Sequence, residues 1–305
     1  MKKHFHYFLI FFILIATYSC NKETKFIPDN EAPDYSGIST IKIENYVNRL
    51  FIDLIGREPT QVEMNQQVSF LKGNELKKEA RIQLVDRLMN SNDFVVNDSS
   101  YAIASSKRLY ELYKARFLEG ASNQTINEFI GIAEQDYLTD SLNGDLAAME
   151  ISRERFTQLK KILLMPQQIE TNQMQFTYFY QLLLMNDLYD FINMNSFNYV
   201  RSCFNDMFDR FPTNTEFLVG FDMVENNVSG TLFNQIGSTK SDFTSIIVQS
   251  NECYEGTIRW MYRTLLAREA TTVEVQTTMV NFLNNKDIRW LQTQILITDE
   301  YASFL

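Results

Sequence analysis

Through long stretches of this chain, apolar residues recur at three- and four-residue steps, the spacing that gathers them on one face of a helix. Ile43, Tyr46, Val47, Leu50, Phe51, Leu54 and Ile55 form one such face. The same register returns in Tyr199, Val200, Cys203, Phe204, Met207 and Phe208, and again in Ile258, Met261, Tyr262, Leu265 and Leu266. Only 10 Gly and 5 Pro punctuate 305 residues, which leaves little turn chemistry for a many-stranded sheet. The pattern predicts an all-α protein.

The three faces belong to a repeat. Tyr46 to Glu63, Tyr199 to Glu216 and Thr257 to Glu274 align without a gap, and each copy later closes on a similar phrase. Those phrases are Ser91-Asn92-Asp93-Phe94, Ser250-Asn251-Glu252-Cys253 and Thr298-Asp299-Glu300-Tyr301. Arg57, Arg210 and Arg268 stand at one repeat position, where a cation in the last helical turn complements the helix dipole. Arg57 and Arg210 follow Asp53 and Asp206 by four residues, so an ion pair along the helix is expected. Pro59 and Pro212 then end that helix. Thr60, Thr213 and Thr271 precede Glu63, Glu216 and Glu274 by three, the spacing of a capping box that starts a second helix. A third follows, for example Leu76 to Met89, with Leu76, Ala80, Leu84, Val85, Leu88 and Met89 inward. The arginines as a ligand-binding row, and the glutamates as catalytic acids, are the sharper readings. Helix termination and capping account for both sets. Cys203 stands where the other copies have Leu50 and Met261, and Cys253 where they have Phe94 and Tyr301, so both are expected in the core. An oxidising envelope would also permit a Cys203–Cys253 disulfide.

Between the first two copies, four more helices are expected: Tyr101 to Phe117, Thr125 to Leu142 stopped by Asn143-Gly144, Leu146 to Met165 ended by Pro166, and Gln173 to Asn193. The last is apolar most of the way round and is expected at the centre of the core. Its Tyr178, Phe179 and Tyr180 are read as packing rather than as a sugar platform. Lys107, Arg108, Lys114 and Arg116 are read as a solvated helix face. Asp140-Ser141-Leu142 resembles the short O-glycosylation sequon of Bacteroidota.

The chain's start changes the picture from fold to location. Lys2 and Lys3 precede an apolar run from Phe8 to Ala16, too short for a stable membrane span. Ala16-Thr17-Tyr18-Ser19-Cys20 resembles a lipobox, with Tyr18 a bulky departure. Cys20 is the expected lipidation site, acylated with palmitate-type chains. Residues 21–40 are polar, with Pro28 and Pro33, and read as a spacer. The expected organisation is a signal peptide at 1–19, a lipidated tether at 20–40, repeat unit one at 41–95, a central helical region at 96–195, and units two and three at 196–305. The architecture is then a multi-helix bundle of three related three-helix units with a central helical insertion.

Charge and missing residues narrow the chemistry. The formal net charge is −10, and −12 once Lys2 and Lys3 are removed, which argues against nucleic acid as a partner. The two histidines, His4 and His6, both lie in the signal segment. A mature chain without histidine cannot build a Ser-His-Asp or Cys-His arrangement, or a His-bearing metal site. No dinucleotide or Walker glycine loop and no calcium loop occurs. Paired carboxylates, as in glycoside hydrolysis, are the catalytic style that survives. No cofactor or metal is expected, and no enzymatic activity.

The repeat phrase YxxxLFxDxxGRxPTxxE resembles the phycobilisome-linker-like helical domain of unknown function found in bacterial surface proteins. Arg49 to Gly56 with Pro59-Thr60 is also similar to an uncharacterised domain attached to planctomycete cytochromes, although no haem-attachment motif is present here. These resemblances imply scaffolding rather than an active site. The expectation is a non-enzymatic outer-membrane lipoprotein of a Bacteroidota-like bacterium, held by its lipid, facing the periplasm in preference to the cell surface, and contacting a protein partner in a secretion, gliding or nutrient-uptake assembly. The rival expectations are a glycan-binding or glycan-cleaving lipoprotein and a peptidoglycan-binding one.

Overall fold

A computed structural model describes residues 34–95, 99–171 and 175–304. The signal segment, Cys20 and most of the expected tether lie outside the described residues. The folded body begins at Tyr35, five residues before the expected end of the tether. Tyr35 is tied down by its hydroxyl, which donates to Asp299 at 2.8 Å and accepts from Arg81 at 2.9 Å.

Among the described residues the body is all-α: sixteen helices and one two-stranded hairpin. Unit one comprises α1 (Thr40–Leu54), α2 (Gln61–Gly73) and α3 (Lys78–Asn90). The central region comprises α4 (Tyr101–Phe117), α5 (Asn123–Asn143), α6 (Leu146–Leu163), α7 (Met165–Glu170), α8 (Phe176–Leu184) and α9 (Asp187–Asn193). Unit two follows as α10 (Ser196–Phe208), α11 (Asn214–Phe221) and α12 (Lys240–Gln249). Unit three is α13 (Asn251–Leu266), α14 (Thr272–Asn285) and α15 (Ile288–Leu296), closed by α16 (Asp299–Ala302).

The predicted faces of α1 and α10 are buried in full; on α13, Ile258, Met261, Tyr262 and Leu265 are buried and Leu266 partly so. What ends these helices differs from the expectation. Gly56, Asp209 and Ala267, immediately before the three arginines, all adopt left-handed backbone, with φ of 84°, 58° and 54°. A left-handed residue reverses the chain at a helix C-terminus. The arginines therefore lie just outside their helices, and the prolines come later still.

Unit two departs from the three-helix plan. α11 lasts one turn past its cap box, passes into a π-helical turn (Asp222–Asn226), and is followed by the hairpin β1 (Gly230–Leu232) and β2 (Gln235–Gly237) before α12. Phe233 and Asn234 between the strands both have positive φ, as a two-residue hairpin turn of matching twist requires.

The expected helix Gln173–Asn193 is two helices. Asn186 divides them: its side-chain amide donates to the carbonyls of Leu182 and Leu183, ending α8, while its oxygen accepts from the N–H groups of Leu188 and Tyr189, starting α9. Pro166 occupies the first turn of α7, where its missing N–H costs nothing.

α8 is central, as its composition implied. Phe176 stacks on Phe282 at 5.0 Å and meets Tyr254 and Tyr180 edge-on, each at 5.1 Å. Units two and three pack as one body where α13 crosses α10 so closely that a Cβ on Gly256 would lie 1.9 Å from the Met207 carbonyl oxygen. Unit one closes onto unit three: Tyr46 donates to the Leu296 carbonyl at 3.1 Å, and Arg49 donates to the carbonyls of Tyr301 and Leu265 at 2.6 and 3.0 Å. First and last repeats thus meet around the inserted helices.

Candidate functional site

The three Arg–Thr–Glu sets fold into the same node three times. Each threonine accepts from its glutamate's N–H, and each glutamate accepts from its threonine's N–H at 2.7 Å. Each arginine then grips both oxygens of the same carboxylate: Arg57 on Glu63 at 2.8 and 2.9 Å, Arg210 on Glu216 at 2.8 and 2.9 Å, Arg268 on Glu274 at 2.7 and 2.9 Å. A bidentate guanidinium–carboxylate pair is stronger and more directional than a single contact. In units two and three the closing phrase joins in, with Glu252 accepting from Arg210 and Glu300 from Arg268. In unit one Tyr101 instead donates its hydroxyl to Glu63 at 2.7 Å.

Electrostatics follow this wiring. For Glu63 burial pushes upward, but Arg57, the Thr60 N–H and Tyr101 outweigh it and hold the carboxyl at about 2. Arg210 and Arg268 do the same for Glu216 and Glu274, each also held at about 2. Carboxyls held so low stay ionised and cannot act as proton donors near neutrality. These nodes tie a helix end to the start of the next helix.

The expected Asp53–Arg57 and Asp206–Arg210 pairs do not form. Each arginine swings past the helix end to the later glutamate. Asp53 instead accepts the Tyr301 hydroxyl at 2.7 Å, and Asp206 that of Tyr189 at 2.8 Å. Burial raises both carboxyls above their ordinary value, against the lowering pull of those hydroxyls. The third copy has Thr264 at this position, bonded to the Trp260 carbonyl.

Cys203 and Cys253 are free and fully buried, so the disulfide reading is not realised. The Cys203 thiol lies near the Tyr189 hydroxyl, and that of Cys253 near the Met207 thioether at 3.8 Å. Burial pushes both thiols up, Cys253 to about 12, which leaves them un-ionised and poor nucleophiles. Cys253 and Tyr301 are core, as the repeat implied, but Phe94 is 79% exposed. In unit two the closing phrase runs straight into the next unit's first helix, which carries Cys253 inward. In unit one no such helix follows directly, and Phe94 forms only a bridge with Ser100.

The basic cluster on α4 divides. Lys107 is exposed, but Lys114 is buried, paired with Glu111 at 2.9 Å and bonded to Asn123 at 3.1 Å. Arg116 donates to the Tyr180 hydroxyl and the Asp206 carbonyl and lies 4.6 Å over Trp260. The expectation of a wholly solvated face fails because α8, α10 and α13 cover its second half. Phe179 and Tyr180 are buried, consistent with packing.

Two of the concavities among the described residues bear on function. One, of about 270 Å³, lies along α10 and is lined by Asn193, Asn198, Arg201, Asn205 and Phe211. Arg201 lies 4.4 Å over Phe211 and 5.5 Å over Phe197, both exposed, at 60% and 49%. Phe197 meets Phe217 at 4.8 Å, which stacks on Phe221. The result is a continuous aromatic face on unit two with an arginine set into it.

The other, of about 280 Å³, draws on unit one, the central region and unit three. α3 contributes Asp86 and Asn90, α7 contributes Glu170, and α15 with its cap contributes Asp287, Arg289 and Trp290. Counting back from the closing phrases, Arg289 and Trp290 stand where the first copy has Ile82 and Gln83 and the second has Ser241 and Asp242. That departure of one copy from the others is the only trace of the site in the sequence.

Among the described residues no group of three or more His, Cys, Asp and Glu is placed to hold a metal ion, and no helix is long and apolar enough to cross a membrane. Compared with known proteins, the chain matches no family model, no curated protein and no solved structure.

Proposed function

We propose that this chain is a membrane-anchored, non-enzymatic lipoprotein that serves as an interaction or scaffold component of a bacterial envelope assembly, of the secretion, gliding or nutrient-uptake kind. The observation that carries the reading is the Phe197–Arg201–Phe211–Phe217 face on unit two. Exposed aromatics around an arginine are the composition of protein-interface anchors, because they offer large rigid area at little entropic cost. Such a face is otherwise a liability in water. The lipobox-like segment ending at Cys20 supports attachment to the outer membrane, with the body in the periplasm. The repeated polar nodes serve internal fastening, which leaves contact rather than catalysis as the use of the surface.

Site-specific photo-crosslinking in intact cells tests this. A crosslinker at Phe211 should yield a discrete adduct that disappears with Arg201→Glu, while a crosslinker at the exposed Val273 yields none. Equal, diffuse labelling from both positions would overturn the reading. Cys20→Ser should release the protein from the membrane fraction.

A further inference from the structure

The cleft between α3, α7 and α15 holds an arginine in an unusual setting. Arg289 is 9% exposed, yet it has no ion-pair partner among the described residues. One of its Nη groups donates to the Met89 carbonyl; its other side-chain N–H groups bond to no described residue and are not sealed from solvent. Donors that still reach solvent are available to a ligand that can replace water at them.

Acceptors stand in the same cleft without full partners. Glu170 accepts no side-chain hydrogen bond among the described residues, Asp86 is engaged through one oxygen by Asn90, and Asp287 through one oxygen by the Arg289 N–H. Burial lowers the Arg289 guanidinium, and Asp287, Asp86 and Glu170 pull it back, so these three carboxylates are the charges it feels. Trp290 flanks them, half-buried and stacked on no other ring among the described residues.

The lining is of mixed sign, and neither kind of simple ion satisfies all of it. An anion would meet three carboxylates, and a cation, though drawn by them, would leave the guanidinium's open N–H groups without an acceptor. A neutral ligand whose neighbouring hydroxyls each donate and accept can satisfy both kinds of group at once, while its C–H face lies on the indole. The volume of about 280 Å³, just below the about 300–1,000 Å³ common for ligand sites, suits a single pyranose ring. We propose that this cleft binds a neutral saccharide, with Trp290 as platform and Arg289, Glu170 and Asp86 as hydroxyl partners. The site lies apart from the Phe/Arg face, and either assignment can fail without the other.

Saturation-transfer NMR on the full chain, solubilised in a detergent without a sugar headgroup, tests it. The probes are glucose, galactose, mannose and N-acetylglucosamine, with choline and acetate as charged controls. At least one sugar should receive saturation, and its binding should weaken about tenfold in Trp290→Ala and in Glu170→Ala. Thermal melts of each variant report the fold. Should Trp290→Ala melt early, Glu170→Ala decides, since its carboxylate accepts no hydrogen bond from any described residue. No transfer to any of the four sugars, transfer to choline or acetate alone, or sugar binding unchanged in the well-folded variants would each overturn the proposal.

Discussion

Arg57 and Glu63 are joined by two parallel hydrogen bonds of 2.8 and 2.9 Å, across the junction between the end of one helix and the start of the next. The pair fixes the angle at which α2 leaves α1, and the same geometry recurs at Arg210–Glu216 and Arg268–Glu274. Of the three glutamates, Glu63 is the most buried, and it alone accepts from a tyrosine, Tyr101.

Acid should loosen all three nodes. A carboxyl held below its unfolded value contributes stability that is complete above the unfolded value and fades as pH falls towards the folded one. With Glu63, Glu216 and Glu274 held at about 2, against an ordinary 4.5, unfolding free energy should decline between roughly pH 5 and pH 2. Urea melts across that range check it. Glu63→Gln should make the decline shallower, and an unchanged slope in that variant would contradict the assignment.

Removing the cations should rank by burial. Arg57→Ala leaves Glu63 charged and enclosed and should cost about 3 kcal/mol. Arg268→Ala leaves a more exposed Glu274 and should cost about 1 kcal/mol. Chemical denaturation of the two variants measures the order, which is the informative quantity.

Gly256 is required by a crossing rather than by a turn. A methyl there would overlap the Met207 carbonyl, which is backbone and has no rotamer to yield. Gly256→Ala should therefore destabilise by at least about 3 kcal/mol, by forcing α13 away from α10. Wild-type stability in this variant would mean that the two helices do not pack as described.

Ala267 offers the opposite case. It holds φ of 54° at a position where the first copy has Gly56. Left-handed backbone is strained for a residue with a Cβ and free for glycine, so Ala267→Gly should stabilise by about 0.5–1 kcal/mol. Differential scanning calorimetry would show a higher melting temperature.

The two core thiols should be silent in the native state. With Cys20 replaced by Ser, the folded chain should resist alkylation at pH 8, and Cys203 and Cys253 should react together on denaturation. Rapid native labelling of either would show that the core opens there.

Sequence by itself determined the elements of this protein and their inward faces. Helical period and capping spacing are local properties, set by residues within a few positions of one another. So α4 could be read in full, from Tyr101 to Phe117, and the Thr–Glu cap boxes at all three junctions. The repeat also placed Cys203 and Tyr301 in the core, since one face must serve the same burial in each copy. Tertiary structure decided what lay between elements. Arg57 had two carboxylates within local reach, Asp53 and Glu63. The choice fell to Glu63 because the left-handed residue at Gly56 carries the arginine off the helix, while Tyr301, distant in the chain, claims Asp53. Phe94 lost its place in the core because the helix that buries its counterpart Cys253 does not follow it directly. The Arg289 cleft was the least legible of all: Asp86, Glu170 and Trp290 come from three separate parts of the chain, and only packing brings their side chains to one place.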